Sequence, residues 1–297
     1  MAARRTVLAD LERALGGHGQ VLHNGRTVYS WGLQDHHFDW FSSAKPVLST
    51  LLFLAIEERK ATSLDQRVAD FGWPLSEKDR PMTLRHLASM TSGYGRPEPP
   101  GAAWAYNDYA IMLYQKTLFD RILREDPSLA ANTRLKAAGI ADGLRFRAAN
   151  RRLFATVRDF GRIGWYWIEQ SQTGFKEYCR PQTPRDLPHT AKAETNDYLG
   201  IGTYGGGSDH FTEYGAGIYG CNWWFNATGR LHPDAVTWPG APADTFMSIG
   251  AAGNCAVMIP SARLALACAR GQWGRHEPGN PSAPAARHIR LLLEAFA

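Results

Sequence analysis

The chain has 297 residues, which is enough to bury a substantial core as one large domain or as a body with an inserted subdomain. Its apolar fraction of 44% and charged fraction of 21% are ordinary for a folded soluble protein. The net charge is only +5 and no block of five or more like charges occurs, which argues against nucleic-acid binding, and no apolar run reaches the 18 residues of a membrane span.

The first segment, "MAARRTVLADLERALGG", predicts an amphipathic helix that ends at Gly16-Gly17. Asp10, Glu12 and Arg13 stand where a signal peptide would have its apolar core. We therefore expect a cytoplasmic protein with reduced thiols. A signal peptide removed from the sequence would instead imply a periplasmic or secreted protein.

The sequence contains no pattern typical of a metal or cofactor site. Cys179, Cys221, Cys255 and Cys268 form no CxxC pair, and the ten histidines include no HExxH motif. Residues 200–205 and 215–220 both match GxGxxG, but strand and turn sequence surrounds them and neither match opens a helix. We therefore predict that the protein uses no metal and no cofactor.

Hairpin and helix patterns follow along the chain. "QVLHNGRTVYSWG" predicts two strands joined at Asn24-Gly25. The middle of the chain predicts helices over residues 44–59, 83–90, 107–124, 128–138 and 156–170. Residues 215–230, "GAGIYGCNWWFNATGR", predict an aromatic-rich strand. "GNCAVMIPSARLALACARG" predicts two strands that turn at Pro260-Ser261, and "AARHIRLLLEAFA" predicts a closing helix.

This order of elements predicts an α+β fold. An antiparallel sheet built from both chain ends would be flanked by the terminal helices and would carry an inserted, mostly helical subdomain. We expect a single domain over residues 1–297, with the sheet body at about 1–41 and 191–297 and the helical region at about 42–190.

The stretch "DWFSSAKPVLSTLLFLAIEERK" (39–60) places Ser42 three residues before Lys45 at the start of an apolar helix. Three residues apart on a helix, the two side chains share one face. A serine hydroxyl becomes a good nucleophile only when a neighbour takes its proton, and burial and a helix N-terminus both favour a neutral lysine that can do so. Alternatively, Ser42 caps the helix and Lys45 extends to water.

Four ordered segments resemble the serine β-lactamase and penicillin-binding-protein superfamily, in particular its class C-like esterase and amidase branch. The first runs from Ser42 through "SLDQRVADF", the second is "MTLRHLASMTSG" and the third is "PGAAWAYNDYAIMLYQ". The fourth, "FMSIGAAGNCAVMIPSARLALACARG", is similar to the strand that carries the third motif of that family and to the strand after it. The resemblance implies a single β-lactamase-like catalytic domain whose sheet and helical region face each other across a cleft.

The resemblance also implies roles for individual residues. Ser42 matches the acylated nucleophile, Lys45 its helix partner, and Tyr106 the tyrosine that moves protons between serine, lysine and leaving group. The alternative for Tyr106 is a core tyrosine beside Trp104. Backbone N–H groups of Ser42 and Ala251 would form the oxyanion hole.

Two departures from the family pattern concern substrate binding. Asp108 stands where the second motif usually ends in Asn, and Ser248 stands where the third motif usually begins with Lys or His, followed by Ile249 and Gly250. With Trp104, these four residues form the predicted substrate-binding set. An added carboxylate and a missing cation would disfavour an anionic ligand, since two unit charges about 4 Å apart repel by roughly 1 to 4 kcal/mol. Alternatively, Asp108 forms a structural ion pair with Lys45 or an arginine.

The sequence thus predicts a serine hydrolase that cleaves a small or oligomeric ester or amide through a covalent acyl-enzyme, so its partner would be a small-molecule substrate. The first alternative is a β-lactamase or DD-peptidase of the same fold, and the second is a non-catalytic binding module with a retained cleft. We expect no nucleic-acid or membrane partner, and the sequence leaves the oligomeric state open.

Overall fold

The computed structural model describes residues 2–192, 196–206 and 216–297. In chain order the strands are β1 (His18–His23), β2 (Arg26–Trp31), β3 (Phe38–Asp39), β4 (Arg145–Phe146), β5 (Leu153–Ala155), β6 (Tyr219–Gly220), β7 (Trp223–Phe225), β8 (Phe246–Gly250), β9 (Asn254–Ile259) and β10 (Leu264–Ala269). The helices are α1 (Ala2–Leu15), α2 (Lys45–Glu57), α3 (Leu84–Ala88), α4 (Asp108–Lys116), α5 (Pro127–Arg134), α6 (Val157–Ser171) and α7 (Pro284–Glu294).

A seven-stranded antiparallel sheet draws its strands from both ends of the chain, in the order β2-β1-β10-β9-β8-β7-β6. The first hairpin pairs directly with the last strand, so that His18 lies opposite Ala269 and His23 opposite Leu264. A smaller sheet has the order β3-β5-β4 and joins the chain before α2 to the chain before α6. The predicted α+β fold class is confirmed.

Helices cover both faces of the large sheet. Gln20 and Leu22 of β1 face α6, where a Cβ on Gly161 would come within 2.4 Å of Gln20 Oε1. The alternate residues face the terminal helices: Tyr29, opposite Val21, donates to Glu12 of α1 at 2.5 Å. Because both faces of the sheet are covered, strands β9 and β10 are buried at every position. This explains why their sequences are nearly continuous apolar runs.

Local sequence explains where the elements begin and end. Asn24 and Gly25 adopt φ of 52° and 77°, as a two-residue hairpin turn with the twist of the strands requires, and this predicted hairpin is confirmed. Helix α2 starts with Pro46 in its first turn, where a missing N–H costs nothing. Asn107 caps α4, because its Oδ1 accepts from Tyr109 and Ala110 N–H at 3.0 and 3.3 Å.

Three predicted elements differ in detail from the structure. The helix predicted over 107–124 begins at Asp108, and its second half, Thr117–Leu123, is a π-helix. The helix predicted over 128–138 is α-helical only to Arg134 and continues as a 3₁₀ turn. The single aromatic strand predicted over 215–230 is a hairpin of β6 and β7, because Cys221 and Asn222 turn the chain with φ of 47° and 68°. Residue 215, with the start of the second GxGxxG match, lies outside the described residues.

The first GxGxxG match, 200–205, is irregular backbone and opens no helix within residues 200–206. Over the described ranges, no helix is both long enough and apolar enough to cross a membrane.

Candidate active site

A short 3₁₀ turn, Phe41–Ala44, holds Ser42 at the N-terminal end of α2. Trp40 anchors this turn: its indole donates to Ala155 O at 2.9 Å and stacks on Phe160. The neighbouring Ser43 is fully buried and donates its hydroxyl to Trp40 O at 2.6 Å. Ser42, in contrast, lines an open cleft, so only the hydroxyl of Ser42 is both accessible and close to Lys45.

The Lys45 amine contacts three side-chain oxygens. Nζ lies 2.8 Å from Ser42 Oγ, 2.8 Å from Tyr106 OH and 2.9 Å from Asp108 Oδ1. Lys45 is 1% exposed, so it does not extend to water. Helix α2 is capped by Ala44 without a side-chain hydrogen bond, so Ser42 is not its capping residue. The alternative of a capping serine and a solvent-directed lysine is therefore wrong.

Burial and charge act in opposite directions on Lys45. Loss of water lowers the pKa of the buried ammonium, and the nearby Asp108 carboxylate raises it part of the way back through its charge and its hydrogen bond. The result is an amine that gives up its proton more readily than a free lysine. A lowered pKa makes such an amine better suited to act as a general base.

Tyr106 joins Ser42 and Lys45 from the opposite wall of the site. Its ring stacks on Trp224 at 6.1 Å, and its hydroxyl is hydrogen-bonded to Ser42 as well as to Lys45. Burial, and then the charge of Asp108, raise the pKa of this phenol far above its usual value. Tyr106 is therefore neutral at rest, and its hydroxyl can accept one proton while it donates another.

Asp108 occupies the first turn of α4, where the helix N-terminus favours a negative charge. It is 3% exposed and forms an ion pair with Lys45. A Cβ on Gly205 would come within 2.6 Å of Asp108 Oδ2, which shows that backbone covers the other carboxylate oxygen. The geometry therefore agrees with the structural alternative for Asp108, the pair with Lys45.

The end of strand β8 lies directly against the turn that carries Ser42. A Cβ on Gly250 would approach Trp40 O and Ser43 N within 2.6 Å and Ser42 N within 3.1 Å, so only glycine allows this contact. Ala251 follows Gly250 and lines the same cleft as Ser42. The two residues predicted to supply the oxyanion-hole N–H groups are thus on adjoining walls.

The cleft has a volume of about 750 Å³. Of the predicted site residues, Ser42, Tyr106, Asp108, Ile249, Gly250 and Ala251 line it. Lys45 lies beneath its floor. The structure does not bring Trp104 or Ser248 to the wall: both are fully buried, Trp104 behind Tyr106, and Ser248 with an Oγ that has no hydrogen-bond partner within the described part of the chain.

The cleft wall also contains residues that the sequence did not predict there, among them Arg152, Tyr204, Arg275 and His276. The Tyr204 ring lies 4.7 Å from Lys45 Nζ, and the Arg152 guanidinium is paired with Asp39 at 2.9 Å. Burial lowers the pKa of His276 to about 3, so its imidazole is neutral. No sequence signal marks these residues, because they come from irregular segments or from strand ends that follow no motif.

Metal ligation is not indicated by the geometry either. Across the described ranges, no group of three or more His, Cys, Asp or Glu side chains is placed to hold a metal ion.

Comparison with known proteins identifies the fold. Residues 4–136 match the family model described as β-lactamase. The chain is similar to a β-lactamase from Mycobacterium bovis, with 19% identity, a TM-score of 0.67 and coverage of 99% of this chain and 100% of that one. It is also similar to a β-lactamase/D-alanine carboxypeptidase from Yersinia pestis, with 14% identity, a TM-score of 0.65 and coverage of 100% of this chain and 99% of that one. A putative 6-aminohexanoate-dimer hydrolase from Bacillus anthracis is similar too, with 16% identity, a TM-score of 0.58 and coverage of 97% of this chain and 80% of that one. No curated protein matches significantly. The predicted resemblance to the serine β-lactamase and penicillin-binding-protein superfamily is confirmed.

Proposed function

From this β-lactamase-like fold we infer that the protein is a serine hydrolase. We propose that it cleaves a small or oligomeric ester or amide through a covalent acyl-enzyme on Ser42, with Lys45 and Tyr106 as acid and base. The observation that carries the proposal is the contact of one buried amine, Lys45 Nζ, with both Ser42 Oγ and Tyr106 OH at 2.8 Å, beside an open cleft. This is the geometry of an activated nucleophile.

Acylation begins when neutral Lys45 takes the hydroxyl proton of Ser42. The Oγ forms a bond to the acyl carbon, and the carbonyl oxygen becomes an oxyanion that the N–H groups of Ser42 and Ala251 stabilise. Tyr106 then gives its proton to the leaving oxygen or nitrogen, and the Lys45 ammonium replaces that proton. Water attacks the acyl-enzyme by the reverse set of proton transfers and releases the acid.

Asp108 determines how Lys45 becomes neutral. As an ammonium, Lys45 has three donors for three oxygen acceptors, which is a fully satisfied arrangement. Loss of one proton, to Asp108 or to water, leaves the amine lone pair available to Ser42. The activity should therefore follow the pKa of Lys45, which burial lowers and the nearby Asp108 carboxylate raises part of the way back.

The proposed substrate is a neutral or amine-bearing ester or amide, but the support from Asp108 is weaker than the sequence suggested. Its charge is paired with Lys45 instead of facing the cleft alone. The cleft also contains Arg152 and Arg275, which the sequence did not predict there. Hydrolysis of an anionic β-lactam is therefore the first alternative, and the structural similarity to β-lactamases from Mycobacterium bovis and Yersinia pestis favours testing it.

Fluorophosphonate labelling followed by mass spectrometry tests the proposal. We expect one adduct, on Ser42, and its loss in Ser42→Ala together with at least a thousandfold loss of ester hydrolysis, as for removal of any covalent nucleophile. Ser43→Ala is the matched control and should still be labelled at Ser42, because Ser43 only bonds to the backbone. Labelling of Ser43 in the Ser42→Ala protein would show that Ser42 is not the nucleophile. An unlabelled wild type would contradict the proposal and favour a non-catalytic binding module.

Nitrocefin hydrolysis distinguishes the proposed ester or amide hydrolase from the β-lactamase alternative. A turnover of nitrocefin that exceeds that of neutral p-nitrophenyl esters would favour the β-lactamase alternative.

A cytoplasmic location and the single-domain organisation remain predictions.

A further inference from the structure

The peptide unit between Phe41 and Ser42 has a fixed partner on its carbonyl side. Tyr204 OH donates a hydrogen bond to Phe41 O at 2.6 Å. In a planar trans peptide, this carbonyl and the Ser42 N–H belong to the same unit and point in opposite directions. The group that fixes Phe41 C=O therefore also fixes the direction of Ser42 N–H, one of the two donors assigned above to the oxyanion hole.

This peptide is held from both sides. Phe41 has a φ of 48°, a left-handed conformation that a bulky side chain adopts only when its surroundings impose it. Its N–H donates to Asp39 Oδ1 at 3.0 Å, and Asp39 is in turn paired with Arg152 at 2.9 Å. Asp39 thus holds the unit before Phe41 and Tyr204 the unit after it, directly ahead of the nucleophile.

We propose that Tyr204 is a positioning residue of the oxyanion hole: its hydroxyl orients and polarises the Phe41–Ser42 peptide so that Ser42 N–H is aimed at the developing oxyanion. The inference deepens the proposed function and depends on it. Donation to an amide oxygen strengthens the N–H of the same amide as a donor, because hydrogen bonds in a chain polarise one another. Tyr204 therefore acts through Ser42 and need not touch the substrate.

The surroundings of Tyr204 suit this role. The residue is 3% exposed, and its backbone N–H donates to Asp108 O at 3.1 Å, which ties the segment to the start of α4. Its ring lies 4.7 Å from Lys45 Nζ. Burial raises the pKa of the Tyr204 phenol well above its usual value, so the hydroxyl keeps its proton and remains a donor over the whole working pH range.

Tyr204→Phe tests the inference, because it removes the hydroxyl and keeps the ring. Removal of a direct oxyanion-hole donor lowers kcat by 10² to 10³, and for a donor that acts through another group we expect a smaller loss, about tenfold. The KM for p-nitrophenyl butyrate should change less than about twofold, since the ester ground state gains little from the oxyanion hole. The rate of fluorophosphonate labelling at Ser42 should fall in parallel with kcat.

Tyr198→Phe is the matched control. Tyr198 also donates its hydroxyl to a buried oxygen, Asp79 Oδ2 at 2.8 Å, but it does not line the cleft. We expect unchanged kcat in this variant. An equal loss of kcat in Tyr198→Phe, or a Tyr204→Phe protein with wild-type kcat and wild-type labelling, would overturn the inference.

Replacement of Tyr204 by 3-fluorotyrosine is a second test that leaves packing nearly unchanged. Its more acidic hydroxyl is a stronger donor, so kcat should equal or exceed that of the wild type, and a reduced kcat would contradict the inference. Failure of the proposed function gives a different result: the wild type itself would carry no label on Ser42. If Ser42 is labelled at full rate in both Tyr204 variants, only the role of Tyr204 is wrong.

Discussion

At the scale of single residues, the site depends on one amine that has been removed from water. Desolvation lowers the pKa of Lys45, and the contact with Asp108 opposes this effect. A solvent-exposed lysine would be almost fully protonated at neutral pH, and a buried lysine without a partner would be costly to fold around. Asp108 gives the buried Lys45 amine a partner and raises its pKa part of the way back, so Asp108 should set the pH range in which Ser42 is activated.

Asp108→Asn should shift the acid limb of the kcat/KM profile to lower pH. In the proposed mechanism Lys45 acts as a base in its neutral form, so activity rises as pH increases through its pKa. Removal of the Asp108 charge removes an influence that raises this pKa. The measurement is the pH dependence of p-nitrophenyl butyrate hydrolysis for both proteins.

The matched control for that variant is Asp79→Asn. Asp79 is fully buried and paired with Lys78, but it lies outside the cleft, so its removal should not move the limb. An acid limb that stays in place or moves to higher pH in Asp108→Asn would show that Lys45 is not the titrating base.

Residue roles differed in how far the sequence could predict them. The proximity of Ser42 and Lys45 follows from their spacing on a helix, and Tyr106 follows from the resemblance. Whether Asp108 faces substrate or Lys45 could not be predicted, because it depends on side-chain rotation at the start of α4. Tyr204 could not be predicted at all, since its contact with Phe41 joins residues 163 positions apart without any motif.

At the scale of elements, the site is a contact between the end of β8 and the turn before α2. The absence of a side chain at Gly250 allows this contact, which brings Ser42 and Ala251 to one cleft. The backbone of Gly250 is extended, with φ of −140°, so an alanine would be tolerated conformationally and would conflict only through its volume.

Gly250→Ala should therefore lower kcat/KM by about 100-fold, because a displacement of about 1 Å in a catalytic constellation can cost that much. The added Cβ meets backbone atoms of Trp40 and Ser43 at 2.6 Å, and these cannot move without moving Ser42. The measurements are esterase kinetics and the rate of fluorophosphonate labelling.

Gly164→Ala provides the control at the same scale. This glycine of α6 also packs against the sheet, but a Cβ there would lie 3.7 Å from Met258 Sδ, an ordinary contact. We expect unchanged kinetics and a gain in stability of about 0.5–1 kcal/mol from helix propensity. Equal kinetics in Gly250→Ala and the wild type would mean that β8 is not part of the site.

Strong local signals made most elements predictable. Asn24-Gly25 specified the first hairpin, and apolar runs specified α2, β9 and β10. The β6–β7 hairpin was predicted as one strand because its turn, Cys221-Asn222, is not a common turn pair. Distant residues hold this turn: Cys221 N–H donates to Ser89 Oγ at 3.4 Å, and Asn222 N–H donates to Ala88 O at 2.8 Å.

At the scale of the whole molecule, the sheet joins the two ends of the chain. Strand β1 is hydrogen-bonded to β2 on one side and to β10 on the other, and helices cover both faces. Helices α1 and α7 add a further link, in which Arg4 Nε donates to Ala295 O at 3.0 Å. We therefore expect the sheet body to unfold as one cooperative unit although its parts lie far apart in sequence.

Native-state hydrogen exchange should show this unit directly. We expect the amides of β1 and β10 to exchange with the same free energy, equal to that of global unfolding, and those of the half-exposed strand β4 to exchange at a lower free energy. If the β1–β2 hairpin opened at a lower free energy than β10, the two chain ends would be independent units.

The pairing of His18 with Ala269 also has a consequence for biosynthesis. At roughly 5 to 20 residues per second, translation needs about 12 to 50 s to pass from the first of these residues to the second. During that interval Ser42 and its helix have left the ribosome, but the neighbouring β1 still lacks β10. The nascent chain must therefore keep an unpaired strand edge from associating with other chains until residue 269 has been made. Only then can the sheet whose strand β8 contacts the turn of Ser42 be completed.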